Sequence, residues 1–195
     1  METNLPLGQK IYQLKITLEE IEPAVWRRIL VPGNIRLPKL HTLLQAVMGW
    51  GDTHMHSFRT QDASYGMPLP EFKESMRDET RVTLAKIAPT QGDVFHYEYD
   101  FGDDWQHEVI VEKILPEFEF QIYPSCIGGK RACPLEDSGG PYGYSELLSA
   151  VSNPGHESHA ETIQWIGGDF DPEAFSCHTV NSELSRRRMV SSSFD

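Results

Sequence analysis

Two histidines flanking one methionine are the first candidates for chemistry. His54 and His56 lie on either side of Met55 in a stretch that we predict as a short strand. Because side chains alternate along a strand, both imidazoles would project to one face, with Cα atoms roughly 6.6 Å apart. That spacing suits two ligands of one metal ion, and zinc is the metal that such a site would take. The preferred interpretation is a polar sheet surface, or a cap on the preceding helix, so we expect no cofactor, with zinc as the alternative.

A pair of cysteines offers a second candidate site. Cys126 and Cys133 bracket the turn-forming stretch IGGKRA, and their thiolates could supply half of a zinc site. The spacing is wider than that of a zinc-finger knuckle, and two small buried residues packing a loop is the preferred interpretation. With Cys177 the chain has three cysteines, too few for a disulfide framework, so we expect reduced thiols or metal ligands.

Residues 97–108, YEYDFGDDWQHE, combine carboxylates with aromatic rings. A three-residue turn at 102–104 sorts the flanking strands into an apolar and an acidic face, whereas a two-residue turn would mix them. The longer turn places Tyr99 opposite His107 and Glu98 opposite Glu108. We predict that Gly102 or Asp104 takes the positive φ and that the hairpin turns these side chains inward: Tyr97, Tyr99, Phe101, Trp105 and His107.

The outer face of this hairpin would then be acidic, because Glu98, Asp100 and Glu108 fall on it. Like charges directly opposite destabilise a sheet, so something must neutralise them. The preferred answer is an arginine from a neighbouring strand, Arg27 or Arg59. The alternatives are a raised carboxylate pKa, or a bound cation or basic partner, which makes the three acids a candidate binding surface.

His107 stands alone on the apolar face of the predicted hairpin. We predict that it is a core histidine, hydrogen-bonded to a tyrosine hydroxyl or to the backbone. Its alternative role is that of a third imidazole ligand for a metal.

The elements that position these groups follow from periodicity. Alternation predicts strands at 12–18, 25–31, 54–60, 94–101 and 105–115, and LPKLHTLLQAVMGW predicts a helix with Pro38 near its start and Gly49 at its end. Residues 61–80 are predicted as a long loop. The order β-β-α-β-β-β indicates an α+β fold, a mixed β-sheet with one helix packed on it in a β-grasp-like arrangement, plus a helical C-terminal appendage.

The domain boundaries follow from the same pattern. Residues 1–120 would form the sheet core, and 121–185 a glycine- and cysteine-containing loop with the helical appendage of the same domain. The last segment, 186–195, is predicted as a flexible tail.

Composition limits the partners. The chain has 195 residues and a net charge of −12, from 29 acidic against 17 basic residues, which argues against nucleic-acid binding. The only tight basic cluster, at 186–188, is predicted as solvated. With no long apolar run and no signal-peptide pattern, we expect no membrane association and a cytoplasmic protein.

Five segments together carry a family resemblance: YQLKITLEEIEPAVWRRILVP, AVMGW, HMHSF, YEYDFGDDWQHEV and CIGGKRACPLEDSGGPYGY. In this order they resemble the plasmid pRiA4b ORF-3-like family over about residues 10–185. The resemblance implies an association with plasmids or insertion elements, sometimes under the label TnpR-like, but no reaction. The family pattern usually carries a cysteine at the position of Ser138, so a zinc site here would need a histidine to replace it.

The label TnpR-like suggests a resolvase, which the sequence does not support. A serine recombinase needs an activated serine amid arginines and a basic DNA-binding domain, and this acidic chain shows no helix-turn-helix pattern. We therefore attribute the label to genomic neighbourhood.

Two functions remain open at this stage. The first is a non-enzymatic binding or adaptor module, associated with plasmids or mobile elements, that binds an unknown protein partner, because turn glycines, hairpin aromatics and acidic residues dominate the motifs. The alternative is a metal-binding domain or metal-dependent enzyme that uses His54, His56, His107, Cys126 and Cys133. Convergence of three of these five side chains around an open position would favour the metal, whereas their separation would remove the only support for an enzyme.

Overall fold

One eight-stranded sheet and five helices make up the part of the protein that the structure describes. This computed structural model describes residues 10–70, 74–118, 121–168 and 170–191, with the backbone alone at 188–191. The strands are β1 Lys10–Leu18, β2 Trp26–Pro32, β3 His56–Arg59, β4 Ser64–Gly66, β5 Arg77–Asp78, β6 Val94–Tyr99, β7 Trp105–Pro116 and β8 Ser125–Lys130. The helices are α1 Leu37–Met48, α2 Leu84–Ile87, α3 Gly140–Ser152, α4 His159–Ile166 and α5 Cys177–Ser191.

The strands are ordered β5-β4-β3-β6-β7-β1-β2-β8 across the sheet. All neighbours are antiparallel except β4 and β5, which are parallel, so the mixed α+β class is confirmed. The β-grasp-like order is not confirmed. Strands β4 and β5 lie within the predicted long loop, and β8 within the predicted glycine and cysteine loop. They escaped prediction because the first two are too short to show alternation and β8 contains two glycines, which strands disfavour.

Strand β1 and helix α1 form the centre of the core as the periodicity predicts. Tyr12, Leu14, Ile16 and Leu18 are buried on one face of β1, which pairs with both β2 and β7. Helix α1 buries a stripe that contains Leu40, Leu44, Val47 and Met48. It ends at Gly49, whose φ of 87° is the left-handed conformation that glycine adopts without strain.

The hairpin of β6 and β7 has a different register from the predicted one. Tyr99 pairs with Trp105 and Tyr97 with His107, so the turn spans five residues, 100–104, and the predicted register is wrong by two residues. A shift of two preserves the alternation, and these four side chains are all buried. The positive φ falls at Asp100 and Asp104, not at Gly102, and Phe101 is half-buried in the turn.

The new register also removes the predicted pair of opposed glutamates. Glu98 lies opposite Gln106 and accepts a hydrogen bond from Ser57 Oγ, while Glu108 lies opposite His96. Arg27 was predicted to neutralise the acidic face of the hairpin, and this prediction is wrong. Its side chain is 4% exposed and donates to the Val47 carbonyl on the helix side of the sheet.

The C-terminal helices cover the β8 end of the sheet. The Asn181 side chain on α5 accepts from the backbone N–H of Cys126 and donates to its carbonyl, so it completes the hydrogen bonding of the edge strand. Residues 186–191, predicted as flexible tail, continue α5, where Arg186 and Arg187 pair with Glu183. Residues 192–195 lie outside the described part of the chain. No helix in that part is both long and apolar enough to cross a bilayer.

The β6–β7 turn and the glycine-rich start of α3 touch each other. Gly139 donates its backbone N–H to Asp103 Oδ2, and Gly140 adopts a φ of 68°. A Cβ on Gly140 would lie 2.3 Å from the Asp103 carbonyl oxygen. Two of the segments that carry the family resemblance therefore meet at a position where only glycine fits. This contact brings residues 136–138 close to the turn.

We expect Gly140→Ala to destabilise the protein by about 2–4 kcal/mol, because the left-handed backbone and the clash with the Asp103 carbonyl both oppose a side chain. Urea unfolding followed by circular dichroism measures this. Gly168→Ala is the matched control, since a Cβ at Gly168 meets nothing within 4 Å. Equal unfolding midpoints for the two variants would contradict the packing argument.

Candidate metal centre

A cleft of about 780 Å³ opens beside the first half of α1. Its walls come from α1, from the segment that enters β3, from the residues that follow β4 and β5, and from the β6–β7 turn. The described residues that line it are Pro38, His41, Thr42, Asp52, Thr53, His54, Met55, His56, Met67, Pro68, Glu79, Thr80, Asp100, Phe101 and Gly102.

Three ligand atoms converge at the mouth of this cleft. His54 Nε2 lies 3.1 Å from Asp137 Oδ1 and 3.6 Å from Asp100 Oδ2. One ligand atom from each of the three residues lies within 4.8 Å of the other two. Metal–ligand bonds of about 2.0–2.2 Å place neighbouring ligand atoms roughly 2.8–3.6 Å apart, so the two short separations match the edges of a coordination polyhedron.

The backbone holds the aspartates of the cleft in an uncommon conformation. Asp52, Asp100 and Asp137 have φ values of 63°, 56° and 57°, in the left-handed region that aspartate tolerates better than most residues. Asp100 Oδ1 accepts the Gly102 N–H at 3.0 Å. Its other oxygen is therefore the one that faces His54, so Asp100, predicted on the outer acidic surface, is turned into the cleft.

Two stacked imidazoles form the inner wall. The rings of His41 and His56 are parallel within 6°, with centroids 3.5 Å apart. His41 Nε2 lies 2.6 Å from Asp52 Oδ1, and His56 Nε2 lies 3.1 Å from both oxygens of Glu79. Each imidazole thus has its own carboxylate, and His56 is not directed at the ligand group of His54.

A closed ring of hydrogen bonds defines the tautomer of His41. The Asp52 N–H donates to Gln45 Oε1, and Gln45 Nε2 donates to the Tyr97 hydroxyl. That hydroxyl is 2.8 Å from His41 Nδ1, and in the neutral imidazole that burial favours, it donates its proton there. The proton of the neutral ring is then on Nε2, toward Asp52. Burial lowers the pKa of His41, and the neighbouring His56 lowers it further.

His107 is buried away from the cleft. Its Nδ1 lies 3.0 Å from the Tyr97 carbonyl, and its ring packs edge-on against Trp50. Burial lowers the pKa of His107 to about 4. It is a neutral core histidine, and it does not join His54.

The two cysteines occupy separate surroundings. Cys126, on β8, lies beside Cys177 of α5, whereas Cys133 accepts a hydrogen bond from Arg27 Nη2 at 2.8 Å and contacts Met48. Burial raises the pKa of each of these two thiols to about 11. The five predicted ligands therefore do not converge as a set, and within the described residues His54 alone of them belongs to a group of three ligand atoms.

Sequence reasoning missed the partners of His54 and His56. His41 and Gln45 are polar residues four apart on the buried side of an otherwise apolar helix, a signal that could have revealed a buried network. Glu79 lay in a segment predicted as a loop, yet it is 3% exposed. Asp137 carries no local signal, because its role depends on contacts between segments far apart in the chain.

The arrangement suits an ion that keeps part of its coordination shell open. Three protein ligands leave positions free toward the cleft, where water or the donor atom of a bound molecule can enter. Asp137 is 72% exposed at its side chain and Asp100 12%, so one side of the group meets solvent and the other is supported by the fold.

The fold and the site define the class of protein. It is an α+β protein with one mixed eight-stranded sheet and an open cleft lined by histidines and carboxylates. The family model of the plasmid pRiA4b ORF-3-like protein matches residues 10–179, and the chain belongs to this family. The resemblance seen in the sequence segments is thus confirmed.

The chain is similar to two further proteins over most of its length. The uncharacterized protein y4hQ of Sinorhizobium fredii (strain NBRC 101917 / NGR234) is 40% identical over 176 residues, which cover 89% of this chain and 90% of that protein. The crystal structure of MM3350, a protein of unknown function from Methanosarcina mazei Go1, is similar with a TM-score of 0.81 and 40% identity. That match covers 87% of this chain and 97% of the other.

Because His107 is buried, we expect the free energy of unfolding to decrease in acid. Its folded-state pKa of about 4 lies below the ordinary 6.5, so its contribution is present above pH 6.5 and is lost as the pH falls toward 4. We expect a loss of about 3 kcal/mol over that range from this group. His107→Phe should flatten the pH profile of the unfolding free energy, whereas exposed His178→Ala should leave it unchanged. Identical profiles for His107→Phe and wild type would contradict the assignment.

We also expect the hydrogen bonds of the Tyr97 hydroxyl to contribute to the free energy of unfolding. Tyr97→Phe leaves Gln45 Nε2 and His41 Nδ1 without their partner inside the core, and we expect a cost of about 1–3 kcal/mol. Chemical denaturation measures it. Tyr142→Phe is the control because Tyr142 is 78% exposed. A Tyr97→Phe protein as stable as that control would show that the ring of hydrogen bonds contributes nothing.

Proposed function

We propose that this protein binds one divalent metal ion through His54, Asp100 and Asp137 and acts through the open side of that ion. The observation that carries the proposal is the convergence of one imidazole nitrogen and two carboxylate oxygens within 4.8 Å at the mouth of a cleft. Of the five ligands predicted from the sequence only His54 takes part, so the predicted ligand set is wrong, and the proposal rests on two aspartates that were not predicted as metal ligands.

Electrostatics supports a cation at this position. Asp100 and Asp137 both face His54 Nε2, which can donate only one proton. The two carboxylate oxygens lie within 4.8 Å of each other, so their charges repel. A divalent ion between them would remove this repulsion. The net charge of −12 also favours the approach of cations to the protein.

The donor set points to a borderline metal. One imidazole with two carboxylates suits Mn²⁺, Co²⁺ or Zn²⁺ better than a soft ion such as Cu⁺, which prefers sulfur. Asp100 is oriented by the Gly102 N–H, the kind of outer contact that fixes a ligand carboxylate.

The proposal ranks above the predicted adaptor surface. Of the three acids in that surface, Asp100 faces the cleft, and Glu98 and Glu108 no longer oppose each other. The cytoplasmic location and the association with plasmids or mobile elements stay predictions. An enzymatic role is the second candidate, because a metal with an open position beside two histidine–carboxylate pairs fits metal-assisted hydrolysis.

Isothermal titration of chelator-treated protein with Zn²⁺, Mn²⁺ and Co²⁺ tests the proposal. We expect about one equivalent of at least one ion to bind, with an affinity lowered at least about tenfold in His54→Ala and in Asp137→Asn. The affinity should fall as the pH is lowered, because protons compete with the metal for the imidazole.

His178→Ala, an exposed histidine on α5, is the control and should bind like wild type. Circular dichroism of each variant separates a lost ligand from a lost fold. No binding by wild type, or equal binding by the ligand variants, would refute the metal site.

A further inference from the structure

We infer that the cleft beside the metal accepts a neutral or cationic organic ligand with an apolar part, and disfavours phosphate-bearing ligands. This inference rests on the proposed metal site and specifies the class of molecule that completes it. Two properties of the cleft wall carry it: its charge and its exposed methionines.

The wall is acidic beyond what one ion neutralises. Four carboxylates, those of Asp52, Glu79, Asp100 and Asp137, lie in or at the mouth of the cleft. A divalent ion balances two of these charges. Among the described lining residues there is no lysine or arginine to bind a phosphate, the side chains that sites for such anions normally supply.

The N-terminus of α1 does not replace the missing basic groups. Helix ends bind phosphate through free backbone N–H groups. Here the Leu37 N–H donates to the Val82 carbonyl, Pro38 has no N–H, and the Leu40 N–H donates to the Arg36 carbonyl. The helix end that borders the cleft is therefore largely occupied by the protein itself.

Apolar side chains line the rest of the opening. Met55 and Met67 are 40% and 47% exposed, and both line the cleft together with Pro68 and Phe101. Methionine adapts its shape and packs well on apolar and aromatic groups. His54 and Met55 both line the cleft, so a molecule whose nitrogen or oxygen donor reaches the metal can lay its apolar part on the Met55 side chain.

The test uses the whole protein loaded with Co²⁺, whose visible absorption changes when a new ligand enters. Four probes form two pairs: imidazole and benzimidazole, inorganic phosphate and phenyl phosphate. We expect benzimidazole to change the spectrum at a concentration lower than imidazole by at least about tenfold, because its second ring packs on the methionines. Neither phosphate should change the spectrum at those concentrations. A response to phosphate at or below the imidazole concentration overturns the inference.

Two substitutions separate charge from apolar contact. Met67→Gln should reduce the preference for benzimidazole over imidazole, and Met67→Lys should admit phenyl phosphate. Ile127→Gln, an exposed apolar position on β8 outside the cleft, is the matched control and should keep the wild-type order. An unchanged order in both Met67 variants overturns the role of the wall.

The outcomes distinguish this inference from the proposed function. A protein that takes up no Co²⁺ refutes both. A protein that binds Co²⁺ through His54 and the two aspartates but prefers phosphate keeps the metal site and loses the ligand class.

Discussion

The buried hydroxyl of Tyr97 is the group on which the arrangement of the protein depends. It lies in the core between α1 and the sheet, where an unpaired polar atom is costly. Gln45 and His41 lie one helical turn apart on α1: Gln45 donates to this hydroxyl, and His41 accepts from it. Asp52 closes the ring by contacting both of them. The helix can therefore occupy one position along β6, and the chain after the helix is held in one place.

The cleft follows from that anchoring. His41 stacks on His56, and His56 contacts Glu79, which directly follows β5. On the other side, Tyr99 accepts from the Thr53 N–H and donates to Glu136 Oε1, which fixes the segment that carries Asp137. The residues of the proposed centre thus come from three segments, and contacts of core tyrosines and histidines position each of them.

Strain is concentrated at the same place. Six non-glycine residues of the described chain have positive φ, and three of them are the aspartates of the cleft. Such conformations persist only where surrounding contacts enforce them, and they occur preferentially at functional sites. At Asp100 the enforcing contacts are visible: its N–H donates to the Met55 carbonyl and its Oδ1 accepts from Gly102. The acidic turn is therefore shaped to present one carboxylate oxygen to His54.

The sequence by itself determined the α+β class, the family, the central strand β1, helix α1 and the inward face of the β6–β7 hairpin, since each rests on local periodicity or on segments that keep their order. It did not determine the hairpin register, because a shift of two residues leaves both faces unchanged. Tertiary structure alone decided that Asp137 joins His54. Ligand convergence is a property of packing between segments distant in the chain, and no local pattern encodes it.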